Sequence, residues 1–368
     1  MSYLWVDKYR PKTLGDLTHS QEITTKLENL SSASANINNI PNILIYGPNG
    51  AGKKTRVLSL LNKIYCQDSN QIYKLKIDVR QFKVNNKTLE LNVISSPYHI
   101  EITPSDLGYS NDKIVIQELI KELGSTSHQF TPVNLSNTNS NIQSVKFKTI
   151  VINEANKLSK AAQHALRRTI EKYSKNIRII MCCETLSNII DPIRSRMLNV
   201  RLSSPDSSEF KKIIEDVSTK ENVVLGDVFI KKLDALCKGN IRLGLLTLEN
   251  MAVMQNMDLS SNDVRVAKPD WMICIDKICL LALKNKTVET VLTIRGIFYD
   301  LLAHCIPAEL ILQKIVEWIL ENAELVKLKQ EKITNVIYYA SVFDERMKLG
   351  SKDIFHLEGF ITKMILEM

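Results

Sequence analysis

At 368 residues the chain exceeds one ordinary compact core, so two or three domains are expected. Its 44% hydrophobic and 24% charged residues exclude a disordered chain, and no apolar run approaches the ~20 residues of a membrane span. The net charge of +8 permits a nucleic-acid partner, while the seven cysteines include no C-x-x-C pair that would indicate a zinc ribbon.

The first predicted element is a strand that leads through a Gly-rich turn into a helix. Residues 42–47 (NILIYG) are typical of a buried strand, and leucines at helical spacing follow the turn. The turn, GPNGAGKKT, nearly matches the phosphate-binding pattern G-x-x-x-x-G-K-[S/T], whose backbone N–H groups and lysine hold phosphates. The predicted nucleotide-binding residues here are Gly47, Pro48, Asn49, Gly50, Ala51, Gly52, Lys53, Lys54 and Thr55.

The following segments complete an α/β domain. Polar and apolar residues alternate over 72–102, which predicts a β-hairpin or two edge strands, and a helix is expected at 112–123. Residues 124–144 are rich in Ser, Asn and Thr and are interpreted as a mobile surface loop. Buried strands alternate with helices from there to residue 203, which predicts a parallel sheet covered on both faces.

Two positions depart from a site that hydrolyses nucleotide. Lys54 stands where a hydroxyl normally holds Mg²⁺, and Thr55 follows one residue too late. The strand motif that should end in Asp-Glu reads Asn153-Glu154, and an amide is not the anionic ligand that a hard cation prefers. Glu154 alone could orient a water beside a poorly held metal. The sequence therefore predicts nucleotide binding, weakly held Mg²⁺ and no competent hydrolysis.

Two breaks divide the rest of the chain. LSSPDSSEF (202–210) is interpreted as a hinge into an all-helical segment, and 259–270 as a second break. Beyond it, helices carry apolar stripes too wide for lone surface helices. The predicted domains are an α/β nucleotide-binding domain (1–203), a small helical domain (204–262) and a C-terminal helical domain (263–368).

Several motifs resemble one known family. WVDKYRPKTL (5–14), GPNGAGKKTR, AQHALRRTIEKY (162–173), IRSRM (193–197) and GNIRLGLLTLEN (239–250) resemble the small subunits of replication factor C, the eukaryotic sliding-clamp loader of the AAA+ class. The resemblance runs through all three predicted domains, and other segments resemble one small subunit in particular. It implies an AAA+ base domain, a small helical lid and a helical collar that joins five subunits into an open ring.

The resemblance also implies nucleotide-binding roles outside the loop. Val6, Arg10 and Thr18 match an N-terminal segment that wraps the adenine and approaches the phosphates. Arg242 matches the second sensor, a lid arginine that reaches the phosphates, although by itself it reads as a solvated helix arginine. Glu184 stands at the first-sensor position, usually an Asn, and a carboxylate there would repel a γ-phosphate.

Arg196 is the predicted arginine finger. Ser195-Arg196-Met197 matches the S-R-C box with Met for Cys, and the family's arginine reaches the γ-phosphate of a neighbouring subunit. An always charged, planar guanidinium suits that task. The alternative is a helix-end arginine that interacts with the helix dipole.

The family's DNA threads the ring and is held by its backbone. Lys113, Lys157 and Lys160 lie near predicted helix N-termini, which favour phosphate, so they are candidate DNA contacts without base specificity. A solvated helix start explains each lysine equally well.

The first functional hypothesis is a nuclear clamp-loader subunit that acts in DNA replication and repair. It binds ATP or ADP, donates Arg196 to a neighbour, and with the other subunits loads the clamp PCNA onto primer–template DNA. The large subunits of alternative loaders are further expected partners. No interaction with a membrane is expected. The second hypothesis is an independent AAA+ ATPase or helicase-like motor, and the third a nucleotide-free scaffold; whether the chain's own site is enzymatic stays open.

Overall fold

The computed structural model describes residues 4–31, 39–65, 75–84, 87–104, 111–125, 147–255, 257–259, 266–284, 287–323, 330–350 and 352–367. Contacts within the chain separate two compact units, 1–266 and 267–368. The boundary lies close to the predicted start of the C-terminal domain, while the further division at residue 203 stays a prediction. The surface loop predicted at 124–144 lies almost wholly outside the described residues.

The first unit is built on a mixed β-sheet. Its strands are β1 (Ile43–Tyr46), β2 (Lys76–Val84), β3 (Lys87–Ser95), β4 (His99–Ile102), β5 (Lys148–Ile152), β6 (Ile177–Cys183) and β7 (Leu198–Arg201). Within the described residues their order is β2-β3-β4-β5-β6-β1-β7. β4, β5, β6, β1 and β7 pair in parallel in that order. β2 and β3 form an antiparallel hairpin at one edge, one of the two arrangements predicted for 72–102, whereas β4 from the same segment lies inside the sheet and pairs antiparallel with β3. The predicted α/β sheet is confirmed.

Helices cover both faces of this sheet, as the nearly continuous apolar residues of its central strands require. The helices are α1 (Trp5–Lys8), α2 (Gln21–Ser31), α3 (Lys53–Tyr65), α4 (Asp112–Ser125), α5 (Lys160–Lys172) and α6 (Asp191–Arg194). Ile43 and Ile45 pack with α2 and α3, whereas Leu44 packs with α4 and α5 on the opposite face. Each such side chain stabilises the fold by about 1.5–3 kcal/mol on burial.

After residue 204 the first unit is mainly helical, with α7 (Ser207–Glu221), α8 (Asp227–Cys237) and α9 (Ile241–Met254). The predicted all-helical segment is wrong in one detail. Two short strands, β8 (Val224–Leu225) and β9 (Asp258–Leu259), pair in parallel. Two residues are too few to give a strand periodicity, so the sequence pattern could not reveal them.

The second unit is helical throughout its described residues. Its helices are α10 (Asp270–Lys284), α11 (Val288–Ala303), α12 (Ala308–Glu321), α13 (Gln330–Leu349) and α14 (Asp353–Glu367). The predicted apolar stripes meet in one core that includes Ile278, Phe298, Ile315 and Phe360. In the described parts of both units, no helix is long and apolar enough to span a membrane.

Candidate nucleotide site

The Gly-rich loop lies between the carboxyl end of β1 and the first turn of α3, at the edge where open parallel sheets bind ligands. Two positions of the loop require glycine because other parts of the chain lie too close to leave room for a side chain. A side chain at Gly47 would collide with the carbonyl group of Leu202, and one at Gly50 (φ 77°) with the side chain of Asn240. The backbone N–H of Ile241 donates to the carbonyl oxygen of Gly50 at 3.2 Å, so the loop and the start of α9 are held together.

A cavity of about 400 Å³ opens beside this loop. Ile213, Val217 and Leu245 give it an apolar wall from α7 and α9. Its volume lies within the ~300–1,000 Å³ typical of small-molecule sites. The cavity brings together the predicted residues Val6, Arg10, Thr18, Asn49, Gly50, Gly52, Lys53, Lys54, Thr55 and Arg242.

The remaining predicted loop residues, Gly47, Pro48 and Ala51, do not line the cavity but hold the loop in place. Lys53 Nζ donates to the carbonyl oxygens of Gly47 at 2.7 Å and Pro48 at 2.9 Å. Ala51 is buried, and its carbonyl oxygen lies 3.0 Å from His19 Nε2. Burial lowers the pKa of Lys53, an effect that the nearby Glu184 carboxylate opposes.

The N-terminal strap, defined here as residues 4–20, is attached to helices α7 and α9 through three glutamates. Glu209 accepts from Ser20 N at 3.3 Å, Glu221 from Lys8 Nζ and Tyr9 Oη at 2.5 Å each, and Glu249 from Trp5 N at 3.1 Å. The hydrogen bond to Glu221 raises the pKa of Lys8 to about 12. The strap thereby brings Val6 and Arg10 to the cavity.

The two positions that should hold a metal are instead joined by a third residue, Glu101 on β4. Lys54 Nζ lies 2.5 Å from Glu101 Oε1, and Asn153 Nδ2 donates to the same oxygen at 2.5 Å. The Glu101 side chain is only 3% exposed. Both departures from a hydrolytic site are therefore parts of one hydrogen-bonded group.

These residues do not fit Mg²⁺. The ion prefers an octahedron of oxygen ligands, whereas positions 54 and 153 offer an ammonium and an amide that donate to Glu101. Thr55, the doubtful ligand, accepts a hydrogen bond from Arg10 Nη1 at 3.5 Å, so its hydroxyl lies beside a cation. Across the described ranges, no group of three or more His, Cys, Asp or Glu side chains could hold a metal ion.

Glu184 is held by the loop itself. Asn49 Nδ2 donates to Glu184 Oε1 at 2.8 Å, and Glu184 lines the cavity near Lys53. A carboxylate is thus fixed on the phosphate side of the cavity. The adjoining Cys182 and Cys183 behave as buried hydrophobes, since burial raises the pKa of Cys182 to about 12.

Glu154 and Arg196 lie on different surfaces. Glu154 lines the cavity in a left-handed conformation (φ 48°), and its carboxylate pairs with Lys157 at 2.8 Å. Arg196 follows α6 and lies outside the described residues that line the cavity. Its Nε donates to Glu171 at 2.7 Å, and its side chain is 36% exposed. Met197, by contrast, is buried in the core.

The predicted DNA-contact lysines are neighbours. Ser159 N and Oγ donate to the Asp112 carboxylate at 2.8 and 3.0 Å, which joins the starts of α4 and α5. Lys113 and Lys160 are the next residues of these starts, and both are exposed. Lys157 ends a 3-10 turn three residues before Lys160, and its side chain is 50% exposed. Their role in binding DNA stays a prediction.

Glu101 is the site residue that sequence reasoning missed. The signal was present, since Glu101 is an acidic residue inside the short strand HIEI, whose four residues are all buried. A carboxylate in such a strand requires a partner. The partner could not be named, because Lys54 and Asn153 are each about fifty residues away along the chain.

Three family profiles match the chain. Residues 271–368 match the family described as "Replication factor C subunit 3, C-terminal domain". Residues 212–253 match "RCF1/5-like, AAA+ ATPase lid domain", and residues 23–206 match "DNA polymerase III, delta subunit". Together with the sheet order, these matches confirm the predicted AAA+ fold with a helical lid and C-terminal helices.

A comparison with solved structures finds similarity at low identity. RuvB of Thermotoga maritima, a Holliday junction branch migration motor, is 16% identical with a TM-score of 0.48, over 73% of this chain and 78% of that one.

Curated relatives match over nearly the whole length. "Replication factor C subunit 5" of Saccharomyces cerevisiae is 47% identical over 98% of both chains. The protein of that name in Neurospora crassa is 37% identical over 98% of this chain and 96% of its own. "Replication factor C subunit 3" of Mus musculus is 35% identical over 98% of this chain and 95% of its own. The particular subunit that the sequence resembles is subunit 5 in the fungal naming, and the chain belongs to the small subunits of the replication factor C family.

Proposed function

We propose that the chain is a clamp-loader subunit that holds ATP or ADP without hydrolysing it and contributes Arg196 to the ATPase site of a neighbouring subunit. The proposal rests on one observation: the residues for binding nucleotide are kept, those for holding a metal are not, and Arg196 lies outside the cavity. The cavity keeps the nucleotide-binding Lys53 and Arg242, while the metal positions Lys54 and Asn153 are tied to Glu101. Arg196 remains on the surface outside that cavity.

The family supplies the setting of this role. Other replication factor C subunits are the expected partners in a hetero-pentamer, and the assembled ring would load PCNA onto primer–template DNA in replication and repair in the nucleus. Alternative loader large subunits could share the same ring. An independent ATPase or helicase-like motor is less well supported, because it needs metal ligands where the chain has Lys54 and Asn153.

The test is Arg196→Ala in the assembled complex. An arginine finger contributes about 10³–10⁵ to turnover, so the neighbour's site should lose essentially all of its ATP hydrolysis. Nucleotide bound to this chain itself should stay unchanged, because Arg196 lies outside its cavity. Steady-state hydrolysis of the complex and nucleotide counting after denaturation measure the two effects separately.

Two further variants make the test specific. Arg196→Lys keeps the charge but loses the planar fork, and should recover little of the lost turnover. Arg201→Ala removes an exposed arginine at the end of β7 and should leave turnover as it is. Unchanged hydrolysis in the Arg196→Ala complex would contradict the arginine-finger assignment.

A further inference from the structure

We infer that the ammonium group of Lys54 takes the place of the divalent cation in this site, so that the chain binds nucleotide without metal. The inference rests on the proposed function in one respect, namely that the cavity holds a nucleotide. It goes beyond that function because it assigns the role of the metal to a side chain.

The position of the ammonium group supports the inference. In a metal-dependent site, the residue after the loop lysine and the strand-end acid both direct their ligands to Mg²⁺. Here the same two positions converge on a single atom, Glu101 Oε1, which Lys54 Nζ and Asn153 Nδ2 each approach to 2.5 Å. A permanent positive charge therefore lies where the metal ligands would meet.

Glu101 explains why the ammonium stays there. A carboxylate that is 3% exposed is stable as an anion only if it is paired and hydrogen bonded. Lys54 supplies the opposite charge, and Asn153 supplies an additional donor. A divalent ion brought to this group would be repelled by the ammonium and would meet an amide at position 153, while the Glu101 carboxylate is buried and already paired with Lys54.

Lys54 is also accessible to a ligand. Its side chain is 38% exposed and lines the cavity, whereas Glu101 lies beneath it and does not belong to the described lining. An ammonium has three donors, and Glu101 occupies one of them. The remaining donors can bind phosphate oxygens in charge-assisted hydrogen bonds, next to those from Lys53 and Arg242.

ADP binding to the full-length chain, measured by calorimetry with Mg²⁺ and with EDTA, tests the inference. The dissociation constant should agree within about twofold between the two buffers. Lys54→Met should weaken binding about tenfold or more in both buffers, since it removes a charge-assisted contact with phosphate. Lys54→Gln should do the same while it keeps a hydrogen bond to Glu101, which separates loss of charge from loss of folding.

A matched control and a gain-of-function variant complete the design. Lys348→Met removes another lysine that pairs with a carboxylate, on α13, and should leave ADP binding unchanged. The double variant Lys54→Thr/Asn153→Asp replaces both departures by metal ligands. Its ADP affinity should become metal-dependent, by about tenfold or more, because two carboxylates then face each other unless a cation separates them.

Electron paramagnetic resonance with Mn²⁺ and ADP gives a second readout. The double variant should show a bound-metal signal, and the natural chain should show only free Mn²⁺.

Each contrary result has a distinct meaning. Loss of ADP binding in EDTA, or a bound Mn²⁺ signal in the natural chain, overturns the role of Lys54 but leaves nucleotide binding intact. Metal-independent binding that Lys54→Gln does not weaken also overturns it. Absence of ADP binding in both buffers overturns the inference together with the nucleotide-holding part of the proposed function.

Discussion

At the scale of single residues, the unusual feature is the carboxylate of Glu101 in a strand that is otherwise apolar. Burying an ionised carboxylate without partners costs several kcal/mol, so the strand is stable only with Lys54 and Asn153 in place. The parallel register explains how they meet. Glu101 pairs with Val151 of β5, and Asn153 follows the last residue of that strand. The group of Glu101, Lys54 and Asn153 thus stabilises the strand and also occupies the positions that would otherwise hold a metal.

We expect Glu101→Ala to lower the free energy of unfolding by about 1–3 kcal/mol, because it leaves Asn153 and Lys54 without their shared acceptor. The loss stays below the ~3–5 kcal/mol of a fully buried broken pair, since Lys54 is 38% exposed. Urea unfolding monitored in the full chain measures it.

A double-mutant cycle with Lys54→Met, which removes the contact with Glu101 altogether, tests whether that contact is responsible. The coupling energy should be about 0.5–3 kcal/mol, as for residues in direct contact. Strictly additive effects of the two substitutions would show that the ion pair contributes nothing.

At the scale of elements, the strap closes the cavity by its attachment to α7 and α9. Residues 5–9 of the strap are attached by hydrogen bonds to glutamates, whereas Leu14 and Leu17 are buried in the core of the sheet. The first part of the strap can therefore loosen while the sheet and its core stay folded. Glu221 is the centre of this attachment, since it accepts from both Lys8 and Tyr9. The hydrogen bond with Lys8 lowers the pKa of Glu221.

Glu221→Gln should accelerate the release of ADP by about two- to fivefold, because a weakened strap exposes Val6 and Arg10 more often. Displacement of a fluorescent ADP analogue in a stopped-flow instrument measures the rate. High salt should shrink the difference, since it screens the exposed pair in the unsubstituted chain. Asp344→Asn, which alters an exposed pair on α13, is the control; an equal effect of both substitutions would exclude a specific role for the strap.

Local patterns account for what the sequence could predict at this scale. The apolar run before Gly47 and the helical spacing after Lys53 placed β1, the loop and α3 correctly, because each depends on neighbouring residues. The contacts of Glu221 with Lys8 and Glu101 with Lys54 could not be predicted. Such pairs depend on how distant elements pack, which neither propensity nor periodicity encodes.

At the scale of the whole molecule, the sequence gives a net charge of +8, but only the fold shows where positive side chains lie close together. The hydrogen bonds between Asp112 and Ser159 bring Lys113 and Lys160 to neighbouring helix starts, where backbone N–H groups add to their positive potential. Lys157 lies close by, but Glu154 already neutralises part of its charge. The three lysines are therefore unequal candidates for a phosphate contact.

Lys160→Gln in the assembled complex should weaken binding to primer–template DNA and reduce the slope of log K against log salt by about 0.9, the value for one lost phosphate contact. The loss should be the same for different DNA sequences, because a phosphate contact carries no base information. Lys157→Gln should have a smaller effect, since binding DNA must first break its pair with Glu154. Lys175→Gln, an exposed lysine just beyond the opposite end of α5, controls for a general loss of charge. Equal slopes for Lys160→Gln and Lys175→Gln would mean that these helix starts are merely a solvated surface.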